Sequence, residues 1–181
     1  MKRLKMNTAS FLFSVVAIIG LSAFSIQQSM DWKIADGYSI KFTSTDPTGV
    51  FNKMSGDITF DPANLDAAKF DVKVDVSSIN TGNGTQNKHA KSAKWFDAET
   101  YPTINFTSSK FNKTADGYSV DGTIEIHGVK KEFTMPFTFK DNVFTSSYMI
   151  NRMDFGVGSM KGMSKKVPAE LKVDISVPVT K

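Results

Sequence analysis

Few side chains in this 181-residue chain could do chemistry, and the two histidines come first among them. His89 lies in a stretch rich in lysine and alanine, and His127 directly precedes a glycine. The chain has no histidine pair with the spacing of a metal motif such as H-x-x-x-H, and no cysteine is present for a thiolate site or a thiol nucleophile. We therefore predict no metal and no cofactor. His89 is a candidate for contact with the polar end of a ligand, against the plainer interpretation of a solvent-facing histidine, and His127 is predicted to be structural.

Arg152 and Asp154 are the next candidates, because strict strand alternation would point both side chains to one face. A buried charge is costly unless it is paired, so we predict an ion pair at the end of a strand, with a polar clamp on a ligand as the alternative. No G-x-S-x-G elbow, P-loop or dinucleotide fingerprint occurs. The sequence thus predicts a protein that is not an enzyme. A small enzyme acting on an apolar substrate, with His89 as its acid or base, is the alternative.

The elements that must position these residues are strands. Phe70, Val72, Val74 and Val76 alternate with polar residues, which gives a strand one apolar and one wet face. Similar alternation predicts eight strands, at about 32–42, 58–60, 69–78, 104–106, 118–126, 129–139, 144–150 and 167–179. Residues 45–57 are predicted as a loop or an interrupted edge. The stretch 88–96 has the composition of a short helix.

Eight antiparallel strands with short connections favour a closed barrel over a two-sheet sandwich, which would need more crossover connections. The apolar faces would then line a lumen, which either holds a slender ligand or is filled by the side chains themselves. The residues predicted to face the lumen are Tyr38, Phe42, Phe70, Val72, Val74, Phe106, Ile124, Phe133, Phe137, Tyr148 and Val173.

The amino terminus predicts export. Residues 1–25 combine a basic start with an apolar core from Phe11 to Phe24, and they end in small residues. We interpret them as a cleaved signal peptide, with an uncleaved anchor as the alternative, and residues 26–181 as one domain in the periplasm or outside the cell. Without the three basic residues of the leader, 19 basic residues face 18 acidic ones, a net charge of +1. That balance predicts no nucleic-acid partner.

Four segments resemble the YceI-like family of exported lipid-binding proteins. They are FDPANLDAAKFDVKVDVSSINTGNG at 60–84, WFDAETYPTINFTS at 95–108, DGYSVDGTIEIHGVKKEFTMPFTF at 116–139 and INRMDFGVG at 150–158. The resemblance implies an all-β fold, an eight-stranded antiparallel lipocalin-like β-barrel with one short helix inserted after the third strand. It also implies a polyisoprenoid or similar amphiphilic lipid in the lumen, held for carriage, storage or an envelope stress response.

The resemblance also draws attention to the mouth of the barrel. Where family members usually carry a histidine near the first strand this chain has Tyr38, and where they usually carry an Arg-Asp pair it has Gln86 and Asn87. These departures imply a different or neutral head group. Two further interactions are alternatives that the sequence leaves open. They are transient contact with a membrane surface, through Lys161 and its neighbours, and formation of a homodimer. The residues expected to bind a ligand at the mouth are Gln86, His89, Trp95 and Arg152.

Overall fold

The computed structural model describes residues 30–181, so the predicted signal peptide lies outside the described residues. None of the helices in that part of the chain is long and apolar enough to cross a membrane. The strands are β1 Asp31–Ile34, β2 Ser39–Thr43, β3 Thr48–Phe51, β4 Met54–Thr59, β5 Lys69–Asp75, β6 Ile79–Asn80, β7 Thr103–Thr114, β8 Gly117–Ile126, β9 Val129–Lys140, β10 Val143–Asn151 and β11 Glu170–Thr180. The α-helix α1 spans Gly84–Lys91. Short 3-10 helices cover Leu65–Ala67, Val76–Ser78, Arg152–Phe155 and Gly162–Lys166.

These strands form the predicted eight-stranded antiparallel barrel once three interrupted strands are each counted as one. The interrupted strands are β1 with β2, β3 with β4, and β5 with β6. Pairing continues through β7, β8, β9, β10 and β11, and β11 closes the ring by pairing with both β1 and β2. The fold class is confirmed, including the single α-helix after the third strand.

The first strand is interrupted because it has two residues too many for its partner. Ile34 pairs with Val179 and Ser39 with Ser176, so the four residues 35–38 face only two residues of β11. Gly37, with φ of 87°, forms part of this turn, in a backbone region that favours glycine. The prediction of one continuous first strand was therefore wrong in this detail.

The second strand was also missed in part, because residues 45–57 do not alternate. They contain β3, which pairs with β2, and the first four of the six residues of β4, which pair with β5. The final strand begins at Glu170 rather than at Val167.

The helix begins four residues earlier than its composition predicted and ends five residues earlier. The Asn83 side chain accepts hydrogen bonds from the backbone N–H groups of Thr85 (2.9 Å) and Gln86 (3.1 Å), which starts α1 at Gly84. After Lys91 the chain folds back, and the Phe96 N–H donates to the Ala90 carbonyl at 3.0 Å. Phe96 thereby turns under the helix and packs against Phe51, with ring centroids 5.9 Å apart.

The two ends of the barrel differ in their connections. At one end, which we call the closed end, strands are joined by residues 60–68, 115–116 and 141–142. At the other end, the mouth, lie residues 44–47, the segment 81–102 that contains α1, the turn 127–128 and the segment 152–169. The closed end carries the tightest part of the core, whereas the mouth carries most of the irregular structure.

Candidate functional site

The barrel encloses an apolar cavity of about 460 Å³, a size typical of small-molecule sites. Its length follows from β11, where Leu171 and Val177 both line it. Six residues at about 3.3 Å each, on strands tilted by about 40°, give a depth of roughly 15 Å. Ten of the eleven side chains predicted to face the lumen line this cavity: Phe42, Phe70, Val72, Val74, Phe106, Ile124, Phe133, Phe137, Tyr148 and Val173.

Tyr38 is the exception, and its predicted place in the lumen was wrong. It lies in the turn that interrupts the first strand, so alternation does not set its direction. Its hydroxyl donates to the Asn52 carbonyl and accepts from the Met54 N–H, each at 3.0 Å. Tyr38 thus bridges the gap between β3 and β4 instead of facing a ligand.

Several lining residues were missed by sequence reasoning. Phe51 and Met54 lie in the stretch predicted as a loop or an interrupted edge, where no alternation marks them. Met135, Ile150 and Leu171 follow the period of two and lie on the predicted apolar faces of their strands, but they were not among the residues predicted to bind in the lumen.

Aromatic side chains seal the closed end. Phe60 is completely buried, and its carbonyl accepts a hydrogen bond from the Trp32 indole N–H at 2.8 Å. Six further rings surround it, with centroids 5.2–6.3 Å away. They belong to Phe70, Phe111, Tyr118, Phe137, Phe139 and Phe144. This cluster forms the floor of the cavity.

Tyr148 places a hydroxyl inside the lumen. Its ring packs edge-on against Phe133 at 4.9 Å, and no group within residues 30–181 hydrogen-bonds its hydroxyl. Burial alone raises the pKa of Tyr148 well above its usual range, so the hydroxyl stays protonated at physiological pH. It can therefore donate a hydrogen bond to an oxygen of a bound ligand.

Arg152 lines the mouth and is buried, but the predicted ion pair with Asp154 is absent from the described part of the chain. Strand alternation ends at Asn151, whose side chain accepts from the Met153 N–H at 2.9 Å and starts a 3-10 helix. Arg152 and Asp154 therefore do not share a face, and Asp154 is exposed.

Backbone carbonyls of the 156–168 loop take the place of the expected carboxylate. The guanidinium donates to the carbonyls of Val157 (2.6 Å), Val167 (2.8 Å) and Pro168 (2.9 Å). Its carbon also lies 5.1 Å from the centre of the Trp95 ring, a cation–π contact. Burial lowers the pKa of Arg152, yet an arginine remains charged. Arg152 therefore ties this loop to the barrel beside the mouth.

Gly158 is required where this loop crosses the arginine. Its φ is 72°, and a Cβ built there would lie 2.8 Å from both the Arg152 Nη1 and the Trp95 ring. Both the backbone conformation and the space therefore call for glycine.

The other predicted mouth residues, Gln86, His89 and Trp95, also line the cavity. Gln86 and His89 are on α1, while Trp95 follows it. His89 makes no ion pair within residues 30–181, and no cluster of three potential metal ligands occurs there. The structure thus brings all four mouth residues to one end of one cavity.

His127 lies at the tip of the β8–β9 hairpin, away from the cavity lining. Its Nδ1 is 3.2 Å from the Phe155 carbonyl, and its ring packs edge-on against Tyr101 at 4.9 Å. These contacts join the hairpin to the 3-10 helix that holds Arg152. His127 therefore has a structural role, as the sequence predicted.

Comparison with known proteins identifies the family. The family profile described as "YceI-like domain" matches residues 27–179. The chain belongs to the YceI-like family. A UPF0312 protein of Vibrio cholerae is 31% identical over 137 residues, which are 70% of this chain and 72% of that protein. Protein YceI of Escherichia coli is 28% identical over 141 residues, 72% of this chain and 71% of that protein. A UPF0312 protein of Yersinia enterocolitica is 34% identical over 87 residues, 48% of this chain and 45% of that protein.

Solved structures agree with this YceI-like barrel. BcnA of Burkholderia cenocepacia matches with a TM-score of 0.74 and 28% identity, covering 82% of this chain and 100% of BcnA. The YceI protein of Campylobacter jejuni matches with a TM-score of 0.64 and 25% identity, covering 77% of this chain and 88% of that one. A domain from Saccharophagus degradans, described as polyisoprenoid binding, shares the fold at a TM-score of 0.59 and 16% identity, covering 83% and 97% of the two chains.

Proposed function

We propose that this YceI-like protein is an exported carrier that holds a polyisoprenoid or similar amphiphilic lipid in its lumen. The observation that supports this most directly is the cavity of about 460 Å³, lined by apolar side chains and sealed at one end by the cluster around Phe60. The polyisoprenoid-binding description of the Saccharophagus domain, which has the same fold, supports the ligand class.

The energetics of the lumen suit a hydrocarbon tail. Burying apolar surface contributes about 25 cal/mol per Å², so roughly every 55 Å² of buried tail strengthens binding tenfold before entropic costs. Most of the affinity would therefore come from the tail and little from polar contacts. The tail would point toward Phe60, with the polar end of the lipid at the mouth.

The uncharged polar groups of the lining suit a neutral head group. Arg152 directs its N–H groups to backbone carbonyls of the 156–168 loop, so its charge stabilises that loop instead of binding a ligand. Gln86 and His89 then remain at the mouth, where Lys41, Asp46 and Lys166 also line the cavity, and Tyr148 offers one hydroxyl inside the lumen. Gln86, His89 and Tyr148 suit a hydroxyl or carbonyl oxygen on the lipid.

Export, carriage between membranes and a membrane contact belong to the same proposal. The basic and apolar leader at residues 1–25 supports export to the periplasm or beyond. A carrier of this kind must meet a membrane to load and unload. Homodimer formation would be tested by the mass measured for the intact protein.

Native mass spectrometry of the purified protein, followed by lipid extraction, tests the proposal. We expect an adduct with a lipid tail in the wild type. In Val173→Trp the indole should fill the middle of the lumen, where Val173 pairs with Tyr148, and the adduct should disappear. Lys172→Trp, at the neighbouring exposed position on the outer face of β11, is the matched control and should keep the adduct. Lipid-free wild type that takes up no isoprenoid alcohol would refute the proposal.

The enzyme alternative is distinguished by His89→Ala. If His89 acts only as a mouth contact, the variant should retain the lipid adduct with affinity reduced several-fold at most. An enzyme using His89 as acid or base would convert the extracted lipid in the wild type and leave it unchanged in the variant. Detecting such conversion would overturn the carrier proposal.

A further inference from the structure

The mouth of the barrel is framed by two segments that carry lysines and no acidic residue. Residues 76–96, which include α1, contain three lysines, and residues 155–169 contain three more. Both segments contribute side chains to the lining of the same cavity, so they flank one opening. The six residues, which we call the mouth lysines, are Lys88, Lys91, Lys94, Lys161, Lys165 and Lys166.

The mouth lysines are available to an external partner. None of them forms an ion pair within residues 30–181, and all are exposed except Lys91, which is half-buried. The mouth connections also hold four acidic residues, but these lie outside the two segments. They are Asp46, Asp97, Glu99 and Asp154.

The connections at the closed end differ in charge from those at the mouth, although Lys69, Lys113 and Lys140 lie at the neighbouring strand ends. The three connections of the closed end contain four aspartates and neither lysine nor arginine. The net charge of residues 26–181 is only +1, so the protein is not generally basic. The lysines at the mouth are therefore a local feature that can orient the protein on a charged surface. An anionic surface would attract the mouth more strongly than the closed end.

Exposed apolar side chains occur at the same end. Three large hydrophobic residues of the described chain are exposed, namely Val129, Met149 and Met160. Val129 begins β9 beside the hairpin 127–128, Met149 lies two residues from the end of β10, and Met160 precedes Lys161. All three are therefore at or near the mouth. Lysines combined with exposed apolar tips suit the interface of a bilayer, where charge meets phosphate and apolar groups enter the head-group layer.

We propose that the mouth lysines dock the protein, mouth first, on a bilayer rich in anionic lipid. This proposal rests on the carrier function, because docking in this orientation places the lumen opening against the membrane from which a lipid enters. A lysine near an anionic surface contributes about 1 kcal/mol, which corresponds to roughly fivefold in the partition coefficient. Screening by salt should weaken the attraction.

The test is co-sedimentation of lipid-free protein with vesicles of equal parts phosphatidylglycerol and phosphatidylcholine, compared with phosphatidylcholine alone. We expect binding only to the anionic vesicles. The variant Lys88→Gln/Lys161→Gln/Lys165→Gln, in which none of the three side chains lines the lumen, should lower the partition coefficient by about 100-fold. The control Lys69→Gln/Lys113→Gln/Lys140→Gln removes the same charge from exposed strand ends at the closed end and should lower it only slightly.

Equal losses in the two triple variants would overturn the proposal, and so would equal binding of the wild type to neutral vesicles. Duplex DNA that competes as well as the vesicles would overturn it too, because the surface would then be generally anion-binding. Uptake of an isoprenoid alcohol by the same variants separates this proposal from the carrier function. Normal uptake with lost docking supports the mouth lysines, whereas docking without uptake supports the surface and contradicts the carrier.

Discussion

The floor of the lumen around Phe60 allows a prediction about both stability and ligand length. Replacing Phe60 with alanine removes a completely buried ring that six other rings surround. Truncations of this kind cost about 3–5 kcal/mol, and the cost is largest where neighbours cannot collapse into the space. The rings around Phe60 are mostly held on hydrogen-bonded strands of a closed barrel, so we expect the upper part of that range. For a domain of this size, the loss corresponds to a fall in Tm of about 10–15 °C.

Thermal unfolding followed by circular dichroism measures this cost, with Phe42→Ala as the control. Phe42 is half-buried and borders the open lumen, so its truncation enlarges an existing space and should cost less than half as much. Native mass spectrometry supplies a second readout. If Phe60 sets the floor, Phe60→Ala should retain lipids with longer tails than the wild type. Equal Tm losses in the two variants, or a fall below about 1 kcal/mol in Phe60→Ala, would refute the reasoning about the floor.

Substitutions at three further positions test the mouth and the lumen. Tyr148→Phe should leave the Tm unchanged or slightly higher, because the hydroxyl has no partner in the described protein, and should weaken binding of an isoprenoid alcohol by about 2- to 10-fold in a fluorescent-probe displacement assay. Arg152→Met should lower the free energy of unfolding by about 3 kcal/mol in urea titrations and expose the 156–168 loop to proteases, since several carbonyls lose their donor. Asn83→Ala should cost about 1 kcal/mol by the same titration through loss of the cap on α1, whereas Asn83→Asp should restore it. An unchanged probe affinity, an unchanged proteolysis pattern or an unaltered urea midpoint would contradict the respective arguments.

The β8–β9 hairpin shows why much of the fold could be predicted. Each of its strands buries one face, so apolar and polar residues alternate in the sequence with a period of two. The turn between the strands, at His127 and Gly128, has a positive φ at both positions. The same rule located ten of the eleven predicted lining residues. It failed for Tyr38, because two extra residues in a strand are invisible until the register with β11 is known.

The mouth was harder to predict for a different reason. The start of α1 did carry a local signal, since Asn83 is a favourable cap, and composition alone placed the helix too late. The surroundings of Arg152 carried no such signal. Its acceptors are backbone carbonyls of a loop whose path depends on the rest of the barrel. Every residue has a backbone carbonyl, so no residue type in the sequence marks these acceptors.

The sequence by itself determined that this chain makes eight strands, each with one apolar face, and it carried the segments that place the chain in the YceI-like family. Both follow from local properties, namely which residue type stands at which position. Only the tertiary structure decided where the strands break, which end is sealed by Phe60 and what Arg152 contacts. Those features depend on closing the ring, because closure brings together residues far apart in the chain and fixes a register that no single strand contains.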